Sequence, residues 1–379
     1  MDRRPAGQPG DAHPRGRGLR VRAEGHDPLV PHRAHGQDLR RHERRVHRLL
    51  PGRRQADREA GHPGRSRISH SSAGGLRCRG SEARRALRAR IRAVRLKRPL
   101  PSHERAGSAR GRVQRDIVFS EPPGFRPLTL DLHLPDGGQP PVIVFVHGGG
   151  WFRGSRRVFT PGRTEEETFG RLTRAGWAVA SVDYRLSGEA TFPAPLADVE
   201  AAVAWVLEEG ATTFGLDSSR LALWGESAGG HLAALAASAP GTPVRAVVDW
   251  YGPSDLAAIP KQPTPPTQRG DVASPSREEM LIGGPLTEHR ELTRAASPAL
   301  VVHAGMPPFL LAHGTADGMV PSEQSVRLRD ALESVGAHVE LQLVAGADHM
   351  WRGLDDLDVV MGPALRFLDE QVLSPAESR

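Results

Sequence analysis

From about Val113 onward the chain alternates short runs of β-branched and aromatic residues with longer segments of helical periodicity. Ile117–Phe119 and Leu128–Leu134, the second alternating apolar and polar positions, predict two opening antiparallel strands. Val142–Val146 is apolar throughout between Pro141 and a run of glycines, the pattern of a strand covered on both faces. Further strands are predicted at Ala178–Val182, Leu221–Trp224, Val244–Trp250, Phe309–Ala312 and Val339–Val344. Helices are predicted at Glu165–Ala175, Ala194–Glu209, Ser227–Ser238, Glu323–Val335 and Met361–Val372. This alternation implies the α/β class, with a mostly parallel central sheet flanked by helices.

Two regions break the pattern. Between Gly252 and Pro307 the periodicity fades, and Pro260–Thr267 is rich in Pro, Gln and Thr. An excursion this long between two strands is expected to be a small lid or pocket wall. Residues 1–112 contain no Phe, Trp or Tyr, and their 29 Arg and one Lys stand against 10 acids. With so little apolar surface to bury, this segment is expected to be disordered. Its one stretch of helical potential is Ser81–Arg98, where Leu87, Ile91 and Val94 share a face among basic residues. The composition is also what a GC-rich coding region gives when read in a wrong frame or from a start placed too far upstream, with the authentic product beginning near Val113. The chain is thus divided into a basic extension, 1–112, and a catalytic domain, 113–379, containing the excursion at 252–307.

Charge follows the same division. The whole chain carries a formal +7, but residues 1–112 alone account for about +20, so the remaining 267 residues are acidic at about −13. A nucleic-acid partner inferred from the overall charge would therefore rest on the extension alone, and no specific nucleic acid is expected for the folded part. There is no apolar leader segment and no run approaching 18 apolar residues, so neither a signal peptide nor a membrane span is expected and the location is read as cytoplasmic. The single Cys78 excludes an intrachain disulfide.

The chemistry is concentrated in two glycine-flanked stretches, each after an apolar strand. In Gly225-Glu226-Ser227-Ala228-Gly229-Gly230 a serine stands between glycines at −2 and +2, as a sharp strand-to-helix turn requires if the hydroxyl is to be exposed above a sheet. His147-Gly148-Gly149-Gly150-Trp151 offers backbone N–H groups unencumbered by side chains, suited to holding an oxyanion. The expected hole combines Gly148, Gly149 and Ala228, with Trp151 and Phe152 packed beneath the loop. A serine needs a base, and the base an orienting acid, in the chain order nucleophile, acid, histidine. His349, in a small-residue loop after the last strand, is the candidate base; His313 is the rival, and His231 is expected to pack or cap. Asp317 follows a strand directly and is the candidate acid, in preference to Asp348.

These segments resemble the α/β-hydrolase superfamily, in the esterase branch of hormone-sensitive-lipase-like carboxylesterases and the feruloyl/acetylxylan-esterase-like (BD-FAE-like) group. Asp183-Tyr184-Arg185-Leu186, Phe192-Pro193-Ala194-Pro195 with Asp198, and Trp250-Tyr251-Gly252-Pro253-Ser254-Asp255-Leu256 extend the resemblance over residues 115–379. It implies the α/β-hydrolase fold, the triad Ser227, Asp317 and His349, and hydrolysis of small carboxylic esters through an acyl-enzyme. The aromatic-free extension stands where a helical cap precedes the core in many lipase-like relatives, which favours a compact, small-lid pocket. Asp183, Arg185 and Asp198 are read as a structural ion pair or helix cap. No cofactor or metal is expected: there is no His-Glu-x-x-His, no Cys cluster and no phosphate-cradling loop. An arylformamidase-type amidase and a prolyl-oligopeptidase-like peptidase use the same machinery and stay open, as does binding of anionic polymers by the extension.

Overall fold

The computed structural model describes residues 112–259 and 275–374. The Arg-rich extension, its Ser81–Arg98 stretch and Pro260–Thr267 lie outside the described residues.

Eight strands form one sheet: β1 (Arg112–Ser120), β2 (Leu128–Leu134), β3 (Pro141–Val146), β4 (Ala178–Val182), β5 (Asp217–Glu226), β6 (Ala246–Trp250), β7 (Phe309–Gly314) and β8 (Val339–Val344). Their spatial order is β1-β2-β4-β3-β5-β6-β7-β8. β1 pairs antiparallel with β2, and β2 antiparallel with β4, whereas every pair from β4 to β8 is parallel. The antiparallel pair β1–β2 closes one edge, and the strands buried along their whole length, β3, β4, β6 and β7, are those whose sequences show no regular alternation of apolar and polar positions.

Helices cover both faces. α1 (Phe169–Arg174) and α8 (Asp358–Leu368) pack against Ile143, Phe145 and Val179 on one side. α2 (Ala194–Trp205), α4 (Ala228–Ala237) and α7 (Glu323–Ser334) pack against Val142, Val144 and Val146 on the other. α2 continues through a wider turn, Val206–Gly210, into the short α3 (Ala211–Phe214). α1 starts at Phe169 rather than Glu165, because Thr164 and Glu167 close a turn there, with the Thr164 N–H and hydroxyl both donating to the Glu167 carboxylate. The 252–307 excursion contains two helices that its composition did not announce, α5 (Arg277–Ile282) and α6 (Arg290–Ala295).

Chain order and spatial order part company at β3. The chain leaves β3 for β4 on one side, then returns to place β5 on the other, so the carboxyl ends of β3 and β5 diverge into different loops side by side. In open α/β sheets such a switch point is where a crevice opens for a ligand. The two glycine-flanked stretches follow these two strands.

Candidate active site

β5 ends at Glu226 and α4 starts at Ala228, so Ser227 alone makes the turn between them. Its backbone takes φ 54° and ψ −121°, a region that an L residue enters only when its surroundings impose it. Close packing imposes it here. A Cβ on Gly225 would lie 2.2 Å from the Gly229 carbonyl oxygen, and one on Gly229 would lie 2.0 Å from that of Val146. Glycine at −2 and +2 thus lets strand, turn and helix approach without a side chain between them. The Ser227 N–H donates to Trp250 O on β6 at 2.8 Å.

The loops after β7 and β8 supply the partners. His349 Nε2 lies 3.0 Å from Ser227 Oγ, and its Nδ1 lies 2.6 Å from Asp317 Oδ2. A carboxylate only accepts, so Nδ1 carries the proton and Nε2 is left to accept from the serine hydroxyl. Asp317 is well supplied with donors: Oδ1 accepts from the Met319 and Val320 N–H groups at 2.8 Å each, and Oδ2 accepts also from His313 Nε2 at 3.2 Å. Burial pushes this carboxyl up, but the hydrogen bonds from His313 and His349 outweigh it, holding Asp317 well below the usual carboxylate range.

The rivals are occupied elsewhere. His313 is buried behind Asp317, with Nδ1 2.7 Å from Ser325 Oγ and Nε2 2.9 Å from Val320 O. Asp348 accepts from the backbone of Gly318 and His349 and pairs with Arg352 at 2.8 Å. His231 donates from Nε2 to Ala296 O at 2.7 Å and accepts from Trp151 Nε1 at 3.2 Å, a neutral ring that burial lowers to about 4. It therefore ties the glycine loop to the helix behind the serine. Asp198 holds Arg185 through three side-chain contacts of 2.7 to 3.1 Å, and Asp183 pairs with Arg156.

One expectation about the glycine loop is revised. Trp151 is buried, but Phe152 is 37% exposed and does not pack beneath the loop. The Gly148 backbone offsets part of the burial penalty on the Glu226 carboxyl. Gly149, Gly150 and Ala228 keep N–H groups with no hydrogen-bond partner among the described residues.

Glu226 is the functional candidate that sequence reasoning passed over. It accepts from Tyr251 Oη at 2.9 Å and Thr160 Oγ1 at 3.0 Å, and Tyr251 in turn packs its ring 4.7 Å from that of His349. Burial pushes the Glu226 carboxyl up to about 8 against the pull of these donors. Its position as the last residue of a strand covered on both faces was the signal that it would be buried.

Ser227, His349 and Glu226 open onto a cavity of about 350 Å³ beneath the glycine loop, with Arg277 of α5 and Arg153 on its wall. A larger, more open depression of about 660 Å³ along Thr287–Ala295 contains none of these groups. Among the described residues no group of three or more His, Cys, Asp or Glu could hold a metal ion, and no helix is long and apolar enough to cross a membrane.

The mostly parallel sheet, the serine turn at the end of β5 and the histidine after the last strand define an α/β-hydrolase. Residues 130–332 match the BD-FAE family model, and the chain belongs to that family. It is 34% identical over 239 residues to the esterase LipQ of Mycobacterium tuberculosis, covering 59% of this chain and 53% of LipQ. It is likewise 34% identical over 242 residues to the esterase LipC of the same organism, covering 58% and 54%. The chain thus spans about half the length of these relatives. Among solved structures, a truncated form of a carbohydrate esterase from gut microbiota superposes with a TM-score of 0.57 at 26% identity, covering 69% of this chain and 96% of that one.

Proposed function

We propose that this chain is a serine hydrolase of small carboxylic esters, with Ser227 as nucleophile, His349 as base and Asp317 as the group that orients it. The observation that carries the reading is the continuous relay from Ser227 Oγ through the His349 ring to Asp317, at 3.0 and 2.6 Å. His349 Nε2 takes the hydroxyl proton as Oγ attacks the ester carbonyl, and the ionised Asp317 stabilises the imidazolium that forms. The N–H groups of Gly148, Gly149 and Ala228, with Gly150 beside them, hold the tetrahedral oxyanion. His349 returns the proton to the leaving alcohol, and water admitted to the same base releases the acid. The esterase names of the relatives support the same class of reaction.

The test is covalent labelling by a fluorophosphonate mapped to Ser227, together with turnover of short-chain 4-nitrophenyl esters. Formyl-kynurenine and dipeptide anilides run in parallel distinguish amidase and peptidase activity. Ester turnover no higher than that of Ser227→Ala would overturn the reading.

A further inference from the structure

The arginines around the serine loop fall into two groups. Arg156 and Arg157 are paired with Asp116 and Asp131, and Arg185 with Asp198. Arg153 and Arg277 have no acidic partner among the described residues, although the domain carrying them has an excess of acids. Both line the cavity that contains Ser227 Oγ and His349. They come from positions far apart in the chain, one in the glycine loop and one at the start of α5.

Arg277 is half-buried and Arg153 exposed, and both guanidinium groups stand over the same aromatic ring. Arg153 Cζ stands 5.4 Å and Arg277 Cζ 5.9 Å from the centroid of the Phe152 ring, so one half-exposed aromatic ring gathers two like charges. The Arg277 stem packs directly on the loop, since a Cβ on Gly150 would lie 2.7 Å from its Cδ. The backbone below it is anchored by a capping box, in which Glu279 N–H donates to Ser276 Oγ at 3.1 Å and Ser276 N–H to Glu279 Oε2 at 2.9 Å. Arg153 N–H donates to Gly149 O at 3.3 Å, which ties its backbone to the same loop. The acid nearest the serine, Glu226, is occupied by Tyr251 and Thr160 and offers neither arginine a partner. Two unpaired, positioned cations at the wall of a small cavity call for an anion from outside the protein.

We infer that the preferred esters carry a carboxylate, on the acyl or the alcohol side, which Arg153 and Arg277 hold while Ser227 attacks the neutral ester carbonyl. This deepens the ester-hydrolase reading above and rests on it.

The experiment compares kcat/KM for two matched pairs of esters on the full-length chain. The acyl arm sets 4-nitrophenyl hemiglutarate against 4-nitrophenyl valerate, and the alcohol arm sets 4-carboxyphenyl butyrate against phenyl butyrate. Rates are taken above a Ser227→Ala control, and each anionic-to-neutral ratio is read relative to its value in Arg277→Gln and Arg153→Gln, which cancels the intrinsic reactivity of the esters. In at least one arm the ratio is expected to fall about tenfold in Arg277→Gln and severalfold in Arg153→Gln, with Arg277→Lys retaining most of it. The wild-type ratio in that arm is expected to fall as sodium chloride is raised, a readout independent of any variant. Ratios indifferent to both Gln substitutions and to salt in both arms would overturn the inference while leaving the ester reading intact. No turnover of any of the four esters above the control would overturn both.

Discussion

Glu226→Gln isolates the one buried acid that shares the cavity with the nucleophile. In the native chain this carboxyl has no cation beside it, only the hydroxyls of Tyr251 and Thr160 and the Gly148 N–H, and burial raises it from 4.5 to about 8. In the unfolded chain it titrates near its ordinary value. Between about pH 4.5 and 8 the folded state therefore holds a proton that the unfolded state lacks, and stability falls as pH rises, by up to ~1.4 kcal/mol for each unit. Over the whole window this amounts to roughly 3–5 kcal/mol. Glutamine keeps an acceptor oxygen for the two hydroxyls and cannot ionise. Urea unfolding of the two chains at pH 5, 6, 7 and 8 should show near-equal stability at pH 5 and an advantage for Glu226→Gln that grows to about 3 kcal/mol or more at pH 8. Asp249, raised by burial to about 7, gives a slope of the same sign up to that pH. His133 and His231, lowered by burial to about 4, give the opposite slope between about 4 and 6.5. All three are common to both chains and cancel in the difference. A difference that is flat from pH 5 to 8 would refute the argument that Glu226 holds a proton in the fold.

Two further substitutions address the relay and the oxyanion loop. Asp317→Asn leaves His349 without a charge to stabilise the imidazolium and should lower kcat on 4-nitrophenyl acetate by about 10³–10⁴, with KM little changed. Gly149→Ala combines a φ of +124° with a Cβ only 2.0 Å from Arg153 O, so the loop must move. Turnover should drop by about 10²–10³ and the thermal midpoint should fall, both measurable on the purified variant.

The sheet was legible because its central strands, β4 among them, are buried on both faces and read as apolar runs, while the edge strand β8 alternates apolar and polar positions; β4 and β8 begin and end where their sequences predict. The triad was legible for a different reason. Each of its members sits in a loop of small residues just after a strand, and the fold puts those loops at one edge. α5 and α6 were not legible, because six residues hold fewer than two turns and cannot display a 3.6-residue period. The approach of Arg277 to Gly150 and Phe152 was not legible either, since nothing local links the start of α5 to the glycine loop. Glu226 stands beside the serine in the sequence, and its place at the buried end of β5 makes it an acid of the interior.

Backbone strain gathers where the site is. Among the described residues, six other than glycine have positive φ, and five of them, Trp151, Ser227, Tyr251, Met350 and Trp351, lie past the carboxyl ends of β3, β5, β6 and β8. Each such conformation costs on the order of 1–3 kcal/mol and persists only where the surroundings over-determine it. The surroundings can be named. Ser227 N–H is fixed to Trp250 O, Tyr251 N–H to Ala312 O at 2.8 Å, Trp151 by its indole to His231, and Met350 lies between His349 and the buried Trp351. The strained residues hold one another through the sheet: the serine turn rests on β6, the turn after β6 rests on β7, and Tyr251 lies against both Glu226 and His349. A substitution that relaxed any one of them would gain local backbone stability and release the neighbour it positions. Stabilising changes at these residues should therefore lower turnover, whereas Val118, Leu343 and Val359, exposed and remote from the cavity, can be altered without that penalty.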